Sequence, residues 1–159
     1  MLNTKRSMRK IDVVVIALGS PILIGLYEAG TLIESLESES KSSDYLPEVF
    51  ETLLKEYEIN HIVYANGPGS FMAIKMSYLF FKTLEITQGI KLLSAWGFDF
   101  NGQTPIKAMG KLYFHYQDGE IEVKPLNNDS LQSMQLPAKF DATEYSNDTA
   151  PNYIVPAVS

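Results

Sequence analysis

His61-Ile62-Val63-Tyr64-Ala65-Asn66-Gly67-Pro68-Gly69-Ser70-Phe71 is the stretch whose reading decides the fold. Its first part continues Ile59-Asn60 into a run of β-forming apolar residues and reads as a buried strand. Two glycines around a proline then turn the chain. Ser70 offers a side-chain cap, a long apolar segment runs to Gln88, and Gly89 supplies the stop. Lys91 to Trp96 is a further strand. Strand, helix and strand at this spacing imply a right-handed crossover and a parallel pair.

Working outward towards the N-terminus, Leu46, Val49, Phe50, Leu53, Leu54 and Tyr57 fall at i, i+3, i+4, i+7, i+8 and i+11, the pattern of an amphipathic helix. Ser43 or Asp44 is its expected cap, and Pro47 is placed in its first turn, where a missing N–H costs nothing. Three strands are expected before it: Asp12 to Leu18, Pro21 to Tyr27, and Thr31 to Leu36. Their short turns, Gly19-Ser20-Pro21 and Glu28-Ala29-Gly30, make an antiparallel meander. Glu37 to Ser43 contains no apolar residue and reads as a mobile surface loop. Lys5, Arg6, Arg9 and Lys10 form a basic start, and with the apolar run Val13 to Tyr27 they admit a secretory signal as an alternative. The Gly-Ser-Pro break inside that run favours two strands behind a solvated basic tail.

Towards the C-terminus, Gly97 to Thr104 reads as a polar link and the best boundary. It divides the chain into an N-terminal unit, residues 11–97, and a reduced β-rich half, 98–159. Pro105 to Met109, Lys111 to Gln117 and Glu120 to Pro125 are expected strands, the last two joined by an Asp118-Gly119 hairpin turn. From Asn127 onward little periodicity remains except Tyr153-Ile154-Val155, so an irregular chain is expected, packed where it is aromatic.

The chain has 159 residues, enough for one domain or two small halves sharing a core. Its 13 basic and 19 acidic residues give a net charge of −6, which disfavours a large nucleic-acid footprint on this chain alone. It has no cysteine, which excludes disulfides, zinc–thiolate sites and cysteine nucleophiles. No apolar run reaches the length of a membrane helix. No cofactor or metal is expected. His61 reads as a structural or edge residue at the start of its strand, and His115 as a surface or half-buried one. Asp12 is expected ahead of the first strand and Asp99 in the link, while Glu34, Glu37 and Glu39 read as a solvated loop. No Ser-His-Asp set or close carboxylate pair is evident, so no catalytic residue is assigned.

Two features suggest function. The Gly67-Pro68-Gly69 turn reads first as a junction that aims a helix at the sheet, with a phosphate or carboxylate site as the alternative. It lacks the lysine and spacing of a P-loop. The helix after it is apolar on two faces. One carries Phe71, Ile74, Tyr78 and Phe81; the other carries Met72, Met76, Leu79, Phe80 and Thr83. A sheet covers one face, which leaves the other for the second half of the chain or for a partner, and the short, polar chain beyond Gly97 favours a partner. The expected interface comprises Leu46, Val49, Phe50, Leu53, Met72, Lys75, Met76, Leu79 and Phe80.

The strand followed by Asn66-Gly67-Pro68-Gly69-Ser70-Phe71 and a helix resembles the TsaB (YeaZ) family, whose usual pattern reads GPGSFTGLR. The order of elements before the motif matches as well. So do the stretch after it up to Trp96, residues Ile106 to Tyr116 weakly, and Pro151-Asn152-Tyr153-Ile154-Val155 as a chain end. The resemblance implies an α/β, ribonuclease-H-like mixed sheet of the actin-like (ASKHA) type. It also implies a cytoplasmic, non-catalytic scaffold that docks a TsaD-like catalytic subunit and works with a TsaE-like ATPase. That complex forms N6-threonylcarbamoyladenosine at position 37 of tRNAs reading ANN codons. The chain would touch tRNA only through the complex, contact no membrane, and form a homodimer when alone. Met72 and Lys75 replace the motif's threonine and arginine, Ile16-Ala17-Leu18-Gly19-Ser20 lacks the acidic residue frequent after strand one, and the second half is short. All three departures agree with a scaffold. The rival expectation is a stand-alone nucleotide- or anion-binding hydrolase using the Gly67-Pro68-Gly69 loop.

Overall fold

In the computed structural model, residues 8–153 are described. Lys5, Arg6, Ile154 and Val155 lie outside them. The elements are β1 (Arg9–Ile16), β2 (Ile22–Glu28), β3 (Thr31–Ser38), α1 (Ser42–Glu56), β4 (Tyr57–Ala65), α2 (Phe71–Gln88) and β5 (Lys91–Ala95), followed by β6 (Ile106–Lys107), β7 (Leu112–Gln117) and β8 (Glu120–Pro125). A five-stranded sheet runs β3-β2-β1-β4-β5, and a small second sheet runs β6-β7-β8. β2 is antiparallel to both its neighbours, whereas β1, β4 and β5 are mutually parallel. This order, a meander followed by two crossovers that place the next strands beside β1, is that of the ribonuclease-H-like, actin-like α/β class.

The central strands are apolar on both faces because the large sheet is covered on both sides. Val13, Val14, Val15 and Ile16 are all essentially sealed. On one side Leu46, Phe50 and Leu53 of α1 and Phe81 and Leu84 of α2 pack on Val13, Val15, Ile24, Ile62 and Leu92. On the other side Val14, Ile16, Val63 and Leu93 meet Phe98, Phe100, Ile106, Phe114 and Phe140. The short second half therefore contributes a core layer of its own, and that layer lies across the sheet from the helices. It does not cover the outer face of α2.

Several expectations are corrected. The stretch 97–104 is no exposed polar link: Gly97–Phe100 forms a 3₁₀ turn whose Phe98 and Phe100 are buried, and Asn101 is buried beside them. The loop expected at Glu37 to Ser43 shrinks to residues 39–41, because β3 pairs with β2 as far as Ser38 and α1 begins at Ser42. Glu34 and Glu37 thus lie on an edge strand. The cap of α1 is Lys41, which makes no side-chain cap bond, and Pro47 therefore lies two or three residues deeper in the helix than expected. Asp12 is inside β1. Arg9 and Lys10 also belong to β1, paired with Glu28 and Glu58, so they are not part of a free tail. His115 is buried and hydrogen-bonds the Lys124 carbonyl at 3.1 Å. The 118–119 hairpin has both residues at positive φ, as a type I′ turn requires.

The irregular segment after Asn127 is held by polar contacts as well as by aromatic ones. Phe140 packs against Tyr27 and Tyr145. Beyond it, Ser146 bridges to Ser94 on the edge of β5, and Tyr64 donates to the Thr149 carbonyl. Ser94 donates to the Asp148 carbonyl, and Asn66 donates to that of Ala150. Residues 146–152 thus form a strap along the sheet edge.

Candidate functional site

The glycine-proline loop is a three-way junction. Ser70 N–H donates to Leu18 O at 2.8 Å, which ties the start of α2 to the turn just after β1. Gly97 N–H donates to Gly67 O at 2.8 Å, and Asn152 N–H to Asn66 O at 2.7 Å, which tie in the chain after β5 and the strap. The glycines are needed for these approaches. A Cβ on Gly69 would lie 2.7 Å from Leu18 O, and one on Gly67, whose φ is +130°, would lie 2.5 Å from Asn152 O. Asn66 and Ser70 have committed their N–H groups and Pro68 has none, so three of the five loop positions 66–70 offer an anion no backbone donor. Ser70 caps α2 through Ala73 N–H, and Gly89 ends the helix in the left-handed conformation, both as expected. Asn66 is buried, and its Oδ1 has no partner.

α2 presents two different faces. Ile74, Ser77, Phe81 and Leu84 are buried. Opposite them Met72 is 59% exposed, Leu79 49% and Ile86 77%, and Phe71 is also exposed. Met76 and Phe80 are half-buried, and Lys75 is exposed. A shallow groove of about 260 Å³ runs between the helices, lined by Ser42, Ser43, Pro47, Met76, Leu79, Phe80 and Thr83. Of the residues expected at an interface, Met72, Lys75, Met76, Leu79 and Phe80 share this surface and Val49 is half-buried on α1. Leu46, Phe50 and Leu53 belong to the core and cannot reach a partner.

One pairing escaped the sequence reading. Asp12 Oδ1 lies 2.7 Å from His61 Nδ1, joining β1 to β4 beside the ring of Phe140. The two residues are 49 positions apart and are brought side by side by the parallel register. Each is a polar residue within a run of apolar neighbours, and that was the available signal. Burial pushes the Asp99 carboxyl above the usual carboxylate range. Among the described residues no group of three His, Cys, Asp or Glu side chains could hold a metal ion. No helix among them is long and apolar enough to cross a membrane.

No family model and no curated protein matches the chain. Solved structures do. YeaZ from Pseudomonas aeruginosa superposes with a TM-score of 0.57 at 14% identity, over 85% of this chain and 73% of that one. An uncharacterised protein with similarity to peptidase YeaZ from Pseudomonas aeruginosa gives 0.51 at 14% identity, over 77% of this chain and 66% of that one. At such identity the likeness is one of fold: the chain is folded as YeaZ is.

Proposed function

We propose that this chain is a non-catalytic docking subunit of the TsaB (YeaZ) type, whose exposed α2 face binds a larger TsaD-like catalytic subunit of a tRNA threonylcarbamoyladenosine complex. The observation that carries the reading is the apolar stripe of Met72, Leu79 and Ile86, left open on a helix whose other face is in the core. Contiguous apolar surface of this kind marks an interaction site. The fold of YeaZ and the Asn66 to Phe71 junction support the same conclusion. Methionines suit such a surface because their flexible, polarisable side chains adapt to a partner. Lys75 supplies one charge at the rim. A TsaE-like ATPase would join the complex through the catalytic subunit, and tRNA would be held by the assembly, since a net charge of −6 gives this chain little attraction for phosphates.

A standard interface buries about 1,600 Å² in total, which the outer faces of two helices can supply. With no catalytic subunit present the same face would pair with a second copy. Sedimentation of the purified chain, alone and mixed with a TsaD-type subunit from the same cell, tests this. A heterodimer formed by the natural chain and lost in Leu79→Glu is expected. Two chains that sediment independently at tens of micromolar would overturn the reading.

A further inference from the structure

β3 is an outer strand of the large sheet, and most of its free edge is open. The segment after Asn127 closes only its start, where Thr31 bridges to Lys139 and Leu32 N–H donates to Ala138 O at 3.1 Å. From Ile33 to Ser38 no described backbone group pairs with that edge. Alternate residues of a strand turn their N–H and C=O groups towards such an edge, which makes it a template for one more strand.

Beside this edge lies a groove of about 350 Å³ between β3 and α1. Leu36, Val49 and Leu53 give it an apolar floor, and Glu34, two positions from Leu36, shares the sheet face that α1 covers. Glu34, Glu48 and Glu56 line the groove as well. All three are exposed, and none makes an ion pair among the described residues. Among those residues no basic side chain and no residue of α2 lines it, so it is separate from the face proposed to dock a catalytic subunit.

Charge selects the occupant. A second copy of this edge would bring its own glutamates against these, and like charges facing each other across a strand pair are destabilising. Nucleic acid and an anionic lipid surface are repelled in the same way. We infer that the edge docks an extended segment of a partner protein, added to the sheet as one more strand, with Lys or Arg at positions i and i+4 and an apolar residue at i+2. Backbone pairing with β3 supplies affinity, and the side chains that alternate onto the α1 side supply selectivity. The spacing follows from geometry. Glu48 and Glu56 are eight positions apart on α1, a rise of about 12 Å, and four residues of a strand span about 13 Å. The residue between the two cations then falls over Leu36, Val49 and Leu53.

The test is an NMR titration of the whole chain with the end-blocked peptide Thr-Lys-Thr-Leu-Thr-Lys-Thr. Saturable shifts are expected at the amides of β3 and of the α1 residues that line the groove. Glutamate in place of both peptide lysines, or Glu48→Lys combined with Glu56→Lys in the protein, should weaken binding about tenfold or more with circular dichroism unchanged. Serine in place of the peptide's leucine should weaken it severalfold. The peptide is also made with alternate amides N-methylated, in both phases, which keeps its charge. One phase blocks the amides that face β3 and should abolish binding, while the other should leave most of it. Equal binding by the two phases, or shifts spread over the whole acidic surface, would reduce the effect to charge attraction and overturn the inference. Two further results would overturn the assignment to a partner: a change in the sedimentation of the chain alone caused by the double variant, which gives the edge to a second copy, or about tenfold tighter peptide binding once residues 1–7 are removed, which gives it to the chain's own basic start.

Discussion

α1 and α2 pack side by side on the same face of the same sheet, yet they treat water differently. The outward side of α1 is made of Ser43, Asp44, Glu48, Glu51 and Lys55, and its apolar residues are gathered into one stripe on the core. α2 buries a comparable stripe but keeps a second one, Met72, Leu79 and Ile86, in solvent. Sheet packing explains the whole of α1. It explains half of α2. The remaining half stays in water, and that difference is what the proposed docking role rests on.

The largest effect should come from the inner stripe. Phe81 lies among Phe50, Phe80 and Tyr64 with ring centroids 5.3 to 6.2 Å away. Phe81→Ala should cost about 3–5 kcal/mol, the usual range for an emptied aromatic core position. Urea unfolding followed by circular dichroism measures it. A loss below about 1 kcal/mol would mean that the helix is not seated as described.

Gly69→Ala comes next, at about 1–3 kcal/mol, because the new methyl meets the Leu18 carbonyl and one of two backbones must shift. The same unfolding assay applies, and an unchanged midpoint would deny the junction its role.

Alkaline pH probes the inner face more gently. Tyr64, under α2, has its phenol raised by burial from the ordinary value of 10.0, and so does Tyr27. A group whose folded pKa is raised gives stability that is complete below its unfolded value and is lost as pH rises towards the folded one. Stability should therefore be flat up to about pH 9 and fall above 10, and Tyr64→Phe should flatten that fall. A decline that begins at neutral pH would contradict this.

On the outer stripe, Leu79→Glu should change unfolding stability by less than about 0.5 kcal/mol, as surface substitutions usually do. It should nonetheless abolish association in sedimentation. If it unfolds the monomer, the two faces of α2 are not distinct. Lys55→Ala, on the outer side of α1, sets the baseline. Its pair with Glu51, 3.4 Å apart and exposed, is worth at most about 0.5 kcal/mol, and association should be untouched.

The large sheet was legible in the sequence because its signals are local. Turn residues, a run of β-formers and a 3.6 period each declare themselves within a dozen positions, and so did the two-faced character of α2. The second core layer was not legible. Phe98 with Phe100, Ile106, Phe114 and Phe140 come from four places in the chain, with no period joining them, and only the folded sheet brings them together. The start of α1 was misread by two or three residues for a related reason: Ser43 and Asp44 read as caps, whereas the helix already begins at Ser42, which is buried in the folded chain. The Asp12–His61 pair depends on a parallel register that no local rule supplies. At the candidate site Met72 and Leu79 were among the residues named, but Ile86 was missed, and the buried Leu46, Phe50 and Leu53 were assigned to it. A period shows which residues share a face and is silent on what that face meets.

The strap of residues 146–152 has a consequence for the order in which the protein can be finished. All five strands of the large sheet have been synthesised once Ala95 is in place, and β5 then forms an open border with unpaired backbone groups, the kind of edge that recruits other chains. Ser146, which closes that border at Ser94, arrives some fifty residues later. A nascent chain therefore passes through an interval in which its first sheet is assembled but adhesive, and a ribosome stalled within residues 100–140 would hold it there. Aggregation in cells should depend on translation speed across that window more than on the stability of the completed fold.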